Sequence, residues 1–339
     1  MTDRSTQLDA ILHGAAFAPM NEQAFLRVAG PDATRWLNGM VSNNIKDLAD
    51  GEQNYNFLLN AQGRILGDCT IYRRPTSAEP EFLLETDLAQ IDAVHQTLER
   101  FIIMDDVELS RVLTDKFGIL LLGPEIRMVF MQLLTDGDSD IQSDGTDAAL
   151  AVEPSIILSR PNANIPTLEL WFDSAQDQER ALHRLPTLQA TAVSAEALEA
   201  YRILCATPRY GTDIRNTESA KDLPQETALD GTQSPALNFN KGCYLGQEIV
   251  ERIHSRGQVH RTFCQFQLSG PVPQLPATLE ANGKAVGELT SAAVIPLPTG
   301  DITLALGYAR REALDRREPL TYPGGTALKT EPSQHTTNH

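Results

Sequence analysis

Lys241-Gly242-Cys243-Tyr244-Leu245-Gly246-Gln247-Glu248 sets a single cysteine between two glycines, just ahead of a stretch with helical spacing. Leu245, Ile249 and Ile253 fall on one face of that stretch, and Gly257 offers a stop. The spacing predicts that Cys243 sits at a helix start. There, free backbone N–H groups and the helix dipole stabilise a thiolate, and Lys241 adds its charge. A thiol so placed can serve as nucleophile, redox group or soft-metal ligand; the other reading of a lone cysteine is a small buried hydrophobe. The two glycines point to a backbone approached closely by another chain segment or by a ligand.

Around the cysteine, Lys241, Arg252, Arg256 and Arg261 outnumber Glu248 and Glu251, a cationic spot on a chain of formal net charge −17. Such a spot either draws a small acidic ligand or is a solvated helix with basic residues in its last turn. The acidic excess disfavours a standing surface for nucleic acid or anionic lipid. Cys69, Cys205, Cys243 and Cys264 show no Cys-x-x-Cys pair and no zinc-type spacing, so neither a disulfide framework nor a tightly bound metal is expected. No apolar run approaches ~18 residues, which excludes a spanning helix. Asp3, Asp9 and His13 suit neither a secretory signal nor a transit peptide, so a cytoplasmic location is the expectation.

The elements that must position these residues mix rather than alternate, which predicts an α+β fold. Residues 24–28 read as a strand and 32–37 as a helix. Residues 55–59 and 64–72 read as a hairpin through Asn60-Ala61-Gln62-Gly63. A strand at 81–85, helical spacing over 87–103 and a strand at 106–112 follow. A second unit has strands at 117–122, around 156 and at 168–172, with helices opening at Pro124, Ser174 and Ser194. The acidic loop 136–147 fails the register of a calcium loop and reads as a connector. Residues 208–240 carry no sustained period; Tyr210-Gly211-Thr212-Asp213-Ile214 and Leu223-Pro224-Gln225-Glu226 punctuate them, which suggests a packed, binding loop. From Arg261 onward short strands with Pro and Gly between them suit a small β-barrel, and the polar tail from about residue 330 is expected to fray.

In this order the pieces resemble the YgfZ family of folate-binding proteins implicated in iron–sulfur cluster assembly and repair, itself related to the aminomethyltransferase (T-protein) of glycine cleavage. Lys241 to Glu248 with Arg252 and Arg256-Gly257 looks like the family's K-G-C-[FY]-x-G-Q-E…R…RG signature. Supporting segments are 28–32, 62–64, 208–214, 223–226, 287–291 and 305–308. The resemblance implies a ring of three modules. The first two interleave within residues 1–260, a C-terminal β-barrel spans 261–330, and 331–339 form the tail. A tetrahydrofolate or a derivative would lie in the central hole. It carries the family's cysteine onto Cys243 and marks Asp68 as a second catalytic candidate. Lys241, Tyr244, Gln247, Arg252, Arg256, Glu226 and Arg64 become cofactor-binding candidates, the arginines suiting a glutamyl tail.

Two positions depart from the T-protein pattern. Its Gly-x-x-Asp-Asp run is Gly63-Arg64-Ile65-Leu66-Gly67-Asp68 here, and the acid of its Glu-Ala-Gly segment is Leu204. The function the resemblance implies is a folate-binding factor for iron–sulfur proteins, with transient iron–sulfur client or assembly partners. The alternatives are a folate-dependent one-carbon transferase, in which Asp68 orients or protonates a folate nitrogen, and a folate-free interaction module. Any effect on tRNA modification is expected to be indirect.

Overall fold

The computed structural model describes residues 3–330 apart from 76–78, 113–116, 136–155, 160–164, 218–220, 257–258 and 317–318. The acidic 136–147 loop and nearly all of the polar tail, from residue 331 on, therefore lie outside the described residues. The chain opens with α1 (Arg4–His13) and β1 (Ala16–Met20). It then builds an antiparallel sheet from β2 (Gln23–Ala29), β3 (Gln53–Leu59), β4 (Ile65–Arg73), β5 (Glu81–Asp87) and β6 (Glu108–Val112), ordered β3-β4-β5-β2-β6. The helices α1 to α3 are numbered along the chain, with α2 (Ala33–Met40) and α3 (Ile91–Glu99) covering one face of this sheet. Trp36 and Leu37 of α2 and Ile91, Val94 and Leu98 of α3 close on Leu26, Val28, Cys69, Ile71 and Leu84.

A register shift where Leu58 pairs with Gly67 but Leu59 with Ile65 places a bulge at Leu66. A bulge reverses which face the following side chains take. Cys69 and Ile71 therefore pack under the helices, whereas Ile65 packs on the opposite side with Phe57, Leu59 and Tyr244. The Leu66 carbonyl, released from the ladder, accepts from Tyr210 Oη at 2.8 Å and Asn216 Nδ2 at 2.7 Å.

The second sheet takes β7 (Phe117–Leu122), β8 (Ile156–Ser159), β9 (Thr167–Phe172) and β10 (Thr191–Ala192) together with β1, in the order β10-β1-β7-β9-β8. The first sheet is thus inserted between two hydrogen-bonded strands of the second. α4 (Ile126–Thr135) and α5 (Ala175–Arg184) cover it; Ile126, Val129 and Leu133, spaced to share one helix face, meet Phe17, Ile119 and Leu170. Ser174 caps α5 by accepting from the Asp177 N–H at 3.1 Å. The two sheets touch through Phe25 and Trp171, whose rings lie edge to face at 5.0 Å. Gly118 makes room for that indole, since a Cβ there would lie 2.6 Å from it.

After α6 (Ala195–Leu204) the described residues form no helix or strand until α7 (Gln247–Arg256), yet they are packed. Buried Asp213 accepts from Arg202 at 2.6 Å, from the Arg209 N–H at 2.9 Å and from Ser291 at 2.8 Å. Arg215 forks onto Glu288 at 2.9 and 2.6 Å. These bonds fasten the segment to a closed six-stranded barrel. Its strands are β11 (Arg261–Ser269), β12 (Ala277–Ala281), β13 (Lys284–Ile295), β14 (Ile302–Arg310), β15 (Leu320–Tyr322) and β16 (Gly325–Thr330), with the short α8 (Arg311–Leu314) between β14 and β15.

Candidate functional site

The turn between β3 and β4 is built on Asn60. Its carbonyl accepts the Gly63 N–H, and its Oδ1 accepts those of Gln62 and Arg64, each at 2.9 Å. The turn rests on the chain just before α7. Gly63 has φ +68° and Gly246 φ +85°. A Cβ on Gly246 would lie 2.6 Å from the Asn60 carbonyl oxygen and 3.2 Å from Gly63 Cα. The close neighbour anticipated for the glycines is therefore backbone at Gly246, while a Cβ on Gly242 would meet nothing within 4 Å.

The same left-handed glycine shifts the helix. A residue at φ +85° cannot belong to a right-handed turn, so α7 starts at Gln247 and exposed Cys243 lies in the loop ahead of it. The thiol is not in the first helical turn, contrary to the spacing argument.

Lys241 turns inward. Its Nζ donates to the carbonyls of Asn38 at 2.7 Å, Val41 at 2.6 Å and Asn43 at 2.7 Å, and the Leu245 N–H donates to Gly39 at 3.1 Å. Asn38 lies in the last turn of α2 and Val41 caps it, so the ammonium sits at the negative pole of that helix. Burial pulls its pKa down to about 7. Tyr244 is buried beneath it, Nζ lying 4.9 Å from the ring centre, and burial lifts the phenol to about 12. Gln247 Oε1 accepts the Tyr244 N–H at 3.3 Å. Lys241, Tyr244 and Gln247 thus hold the cysteine loop in place.

Beside this loop, a cleft of about 930 Å³ opens between the β3–β4 turn, residues 221–226, α7 and the start of β11. Of the expected site residues, Arg64, Glu226 and Arg252 line it; Lys221 and Arg261 add charge. Arg261 is committed, pairing with Asp222 and, at 3.1 Å, with Glu226, and lying 4.6 Å over the Tyr308 ring. Burial works against its charge, but Glu226 and Asp222 hold its pKa above the ordinary value. Arg64 donates to the Lys221 carbonyl at 2.8 Å. Arg252 is exposed on α7, with no carboxylate partner among the described residues. Arg256 ends α7, and its side chain lies outside the described residues. Sequence reasoning missed Lys221; its position two residues before Leu223-Pro224-Gln225-Glu226 was the available signal.

Asp68 lies apart, on the face of β4 opposite Cys69. Its Oδ2 accepts from Tyr55 Oη at 2.6 Å and its Oδ1 from Gln90 Nε2 at 2.8 Å. Burial raises its pKa, and these two bonds only partly offset the rise. Neither Asp68 nor Cys243 lines the cleft. Leu204 is buried among Phe263, Leu304, Leu306 and Tyr308, and Gln265 Nε2 donates to its carbonyl at 3.1 Å.

Residues 6–147 match the model of the GCVT N-terminal domain. That match takes in less than half of the chain. The chain is similar to the "Iron-sulfur cluster assembly factor IBA57 homolog, mitochondrial" of Neurospora crassa, 27% identical over 281 residues. That match covers 80% of this chain and 58% of the relative, so the chain spans little more than half of that protein's length. The mouse factor is 26% identical over 326 residues, covering 93% and 81%. The aminomethyltransferase of Thermotoga maritima is 22% identical over 310 residues, covering 89% and 80%. Among solved structures, glycine cleavage aminomethyltransferase T from Bartonella henselae superposes with a TM-score of 0.77 at 17% identity, over 98% of this chain and 89% of that one. The family resemblance and the T-protein-like α+β fold with its C-terminal barrel are thus borne out. The cytoplasmic expectation is overturned, because the assembly factors that the chain resembles are mitochondrial. Composition and a few acidic residues do not carry an address by themselves.

Proposed function

We propose that the protein serves in the assembly or repair of iron–sulfur proteins, with the Cys243 thiolate as its point of contact with sulfur, electrons or cluster iron. The observation that carries this reading is the exposure of Cys243 on a loop whose neighbours Lys241, Tyr244 and Leu245 are all anchored. A structural cysteine has no need of such a mount, whereas a reactive one needs exposure and a fixed position. The similarity to the assembly factors supports the setting. Replacing Cys243 with Ser in the native host should lower iron–sulfur enzyme activities under oxidative stress; unchanged activities would remove the thiol from the proposal.

A reduced folate belongs to this proposal as the ligand of the cationic cleft. The residues present fit its glutamyl end, because Arg252 and Lys221 are exposed there and Arg64 lines the same cleft. They fit the pteridine end less well. The position that would offer it an acid is Leu204, sealed in an apolar cluster, and both oxygens of Asp68 already accept bonds. Bound there, a reduced folate would supply a nitrogen able to take up a one-carbon unit. The chain's part is to hold the carboxylates through Arg252 and Lys221. Anaerobic titration of tetrahydrofolate should show saturable binding weakened in Arg252→Ala; no binding to wild type would leave the thiol and its clients as the function.

A further inference from the structure

A second cavity, of about 300 Å³, lies against Ile253 and His254 of α7, whereas the cationic cleft lies against Ile249 and Arg252. We propose that this second cavity binds a small aromatic acid. The two cavities share no lining residue, so the proposal is independent of the folate reading.

Two features define the ligand. Arg311 lines the cavity half-buried and, among the described residues, has no carboxylate partner, unlike Arg202, Arg215 and Arg261. Gly231, at φ +71°, makes room for it, since a Cβ there would lie 2.8 Å from Arg311 Nη2. A guanidinium held in this way presents a planar fork to a carboxylate. The second feature is the wall, where the rings of Phe239 and His254 stack at 3.8 Å with 19° between their planes, next to Ile253. A flat ring suits such a wall. The volume stands at the lower end of small-molecule sites and suits a single-ring acid.

The test is calorimetric titration of benzoate into the full chain, with benzamide lacking the charge and cyclohexanecarboxylate lacking the aromatic ring. One-to-one saturable binding is expected, weakened about tenfold or more by Arg311→Ala. Both control ligands should bind more weakly, and Arg252→Ala should bind as wild type does. His254→Ala, on an exposed position of α7, should also weaken binding and serves as the second variant if Arg311→Ala does not fold. Absence of saturable binding, equal affinity in Arg311→Ala and wild type, or loss in Arg252→Ala alone would overturn the proposal.

Discussion

Gly63 and Gly246 meet backbone against backbone, each in a left-handed conformation, so that the β3–β4 turn and the start of α7 fit together with no side chain between them. Gly246→Ala has to accommodate both a positive φ and a Cβ driven onto the Asn60 carbonyl. It should cost about 2 kcal/mol or more in denaturant unfolding. Gly242→Ala, with open space around it, should stay within about 0.5 kcal/mol of wild type. Equal effects at the two positions would refute the packing account.

Lys241→Met keeps the length of the side chain and removes its three donors. The carbonyls of Asn38, Val41 and Asn43 would be left without them, a loss of about 3 kcal/mol or more. Freed of this anchor, the loop should let a thiol reagent label Cys243 faster than in wild type. Unchanged labelling with lost stability would separate the anchor from the thiol.

Asp68 has a folded-state pKa raised by burial above its ordinary 3.8. For a carboxyl shifted upward, the stabilising contribution is present below about pH 3.8 and is lost as pH rises through the folded-state value. Asp68→Asn does not titrate. The stability difference between wild type and variant should therefore move in the variant's favour from acid to neutral pH, as thermal melts across that range would read. A pH-independent difference would mean that the carboxylate is not desolvated.

Leu204→Glu restores the acid of the T-protein pattern but puts it among Phe263, Leu304 and Tyr308. It should destabilise the chain by about 4 kcal/mol, with no gain in tetrahydrofolate binding by calorimetry. Tighter folate binding by a folded variant would show that the site can be rebuilt.

The hairpin at Asn60–Gly63, the α7 periodicity and the barrel were legible because each is a local pattern of turn residues, helical spacing or short strands. α1 and β1 were not. α1 buries only Gln7, Leu8 and Ile11, too little for a periodic signal. β1 contains Pro19, which argues against an interior strand. The structure accommodates it because Pro19 faces the β10 side of β1, beyond the two residues by which β10 pairs. The mount of Cys243 was half legible. The glycines announced close contact, but Lys241, whose charge suggested a ligand or the thiolate, spends it on carbonyls some two hundred residues earlier in the chain. The helix start was misplaced for want of the conformation of Gly246, which spacing does not carry.

Inserting the first sheet between β1 and β7 has a consequence for how the chain is made. Residues 23–112 contain all five strands of that sheet and both helices that cover it, so this unit can fold as soon as it emerges during synthesis. β1, by contrast, has to wait for β7 about a hundred residues later and for β10 farther still. The slow, long-range closure thus falls to the second sheet. The cysteine loop, which leans on α2, would find its support already built before it is itself translated.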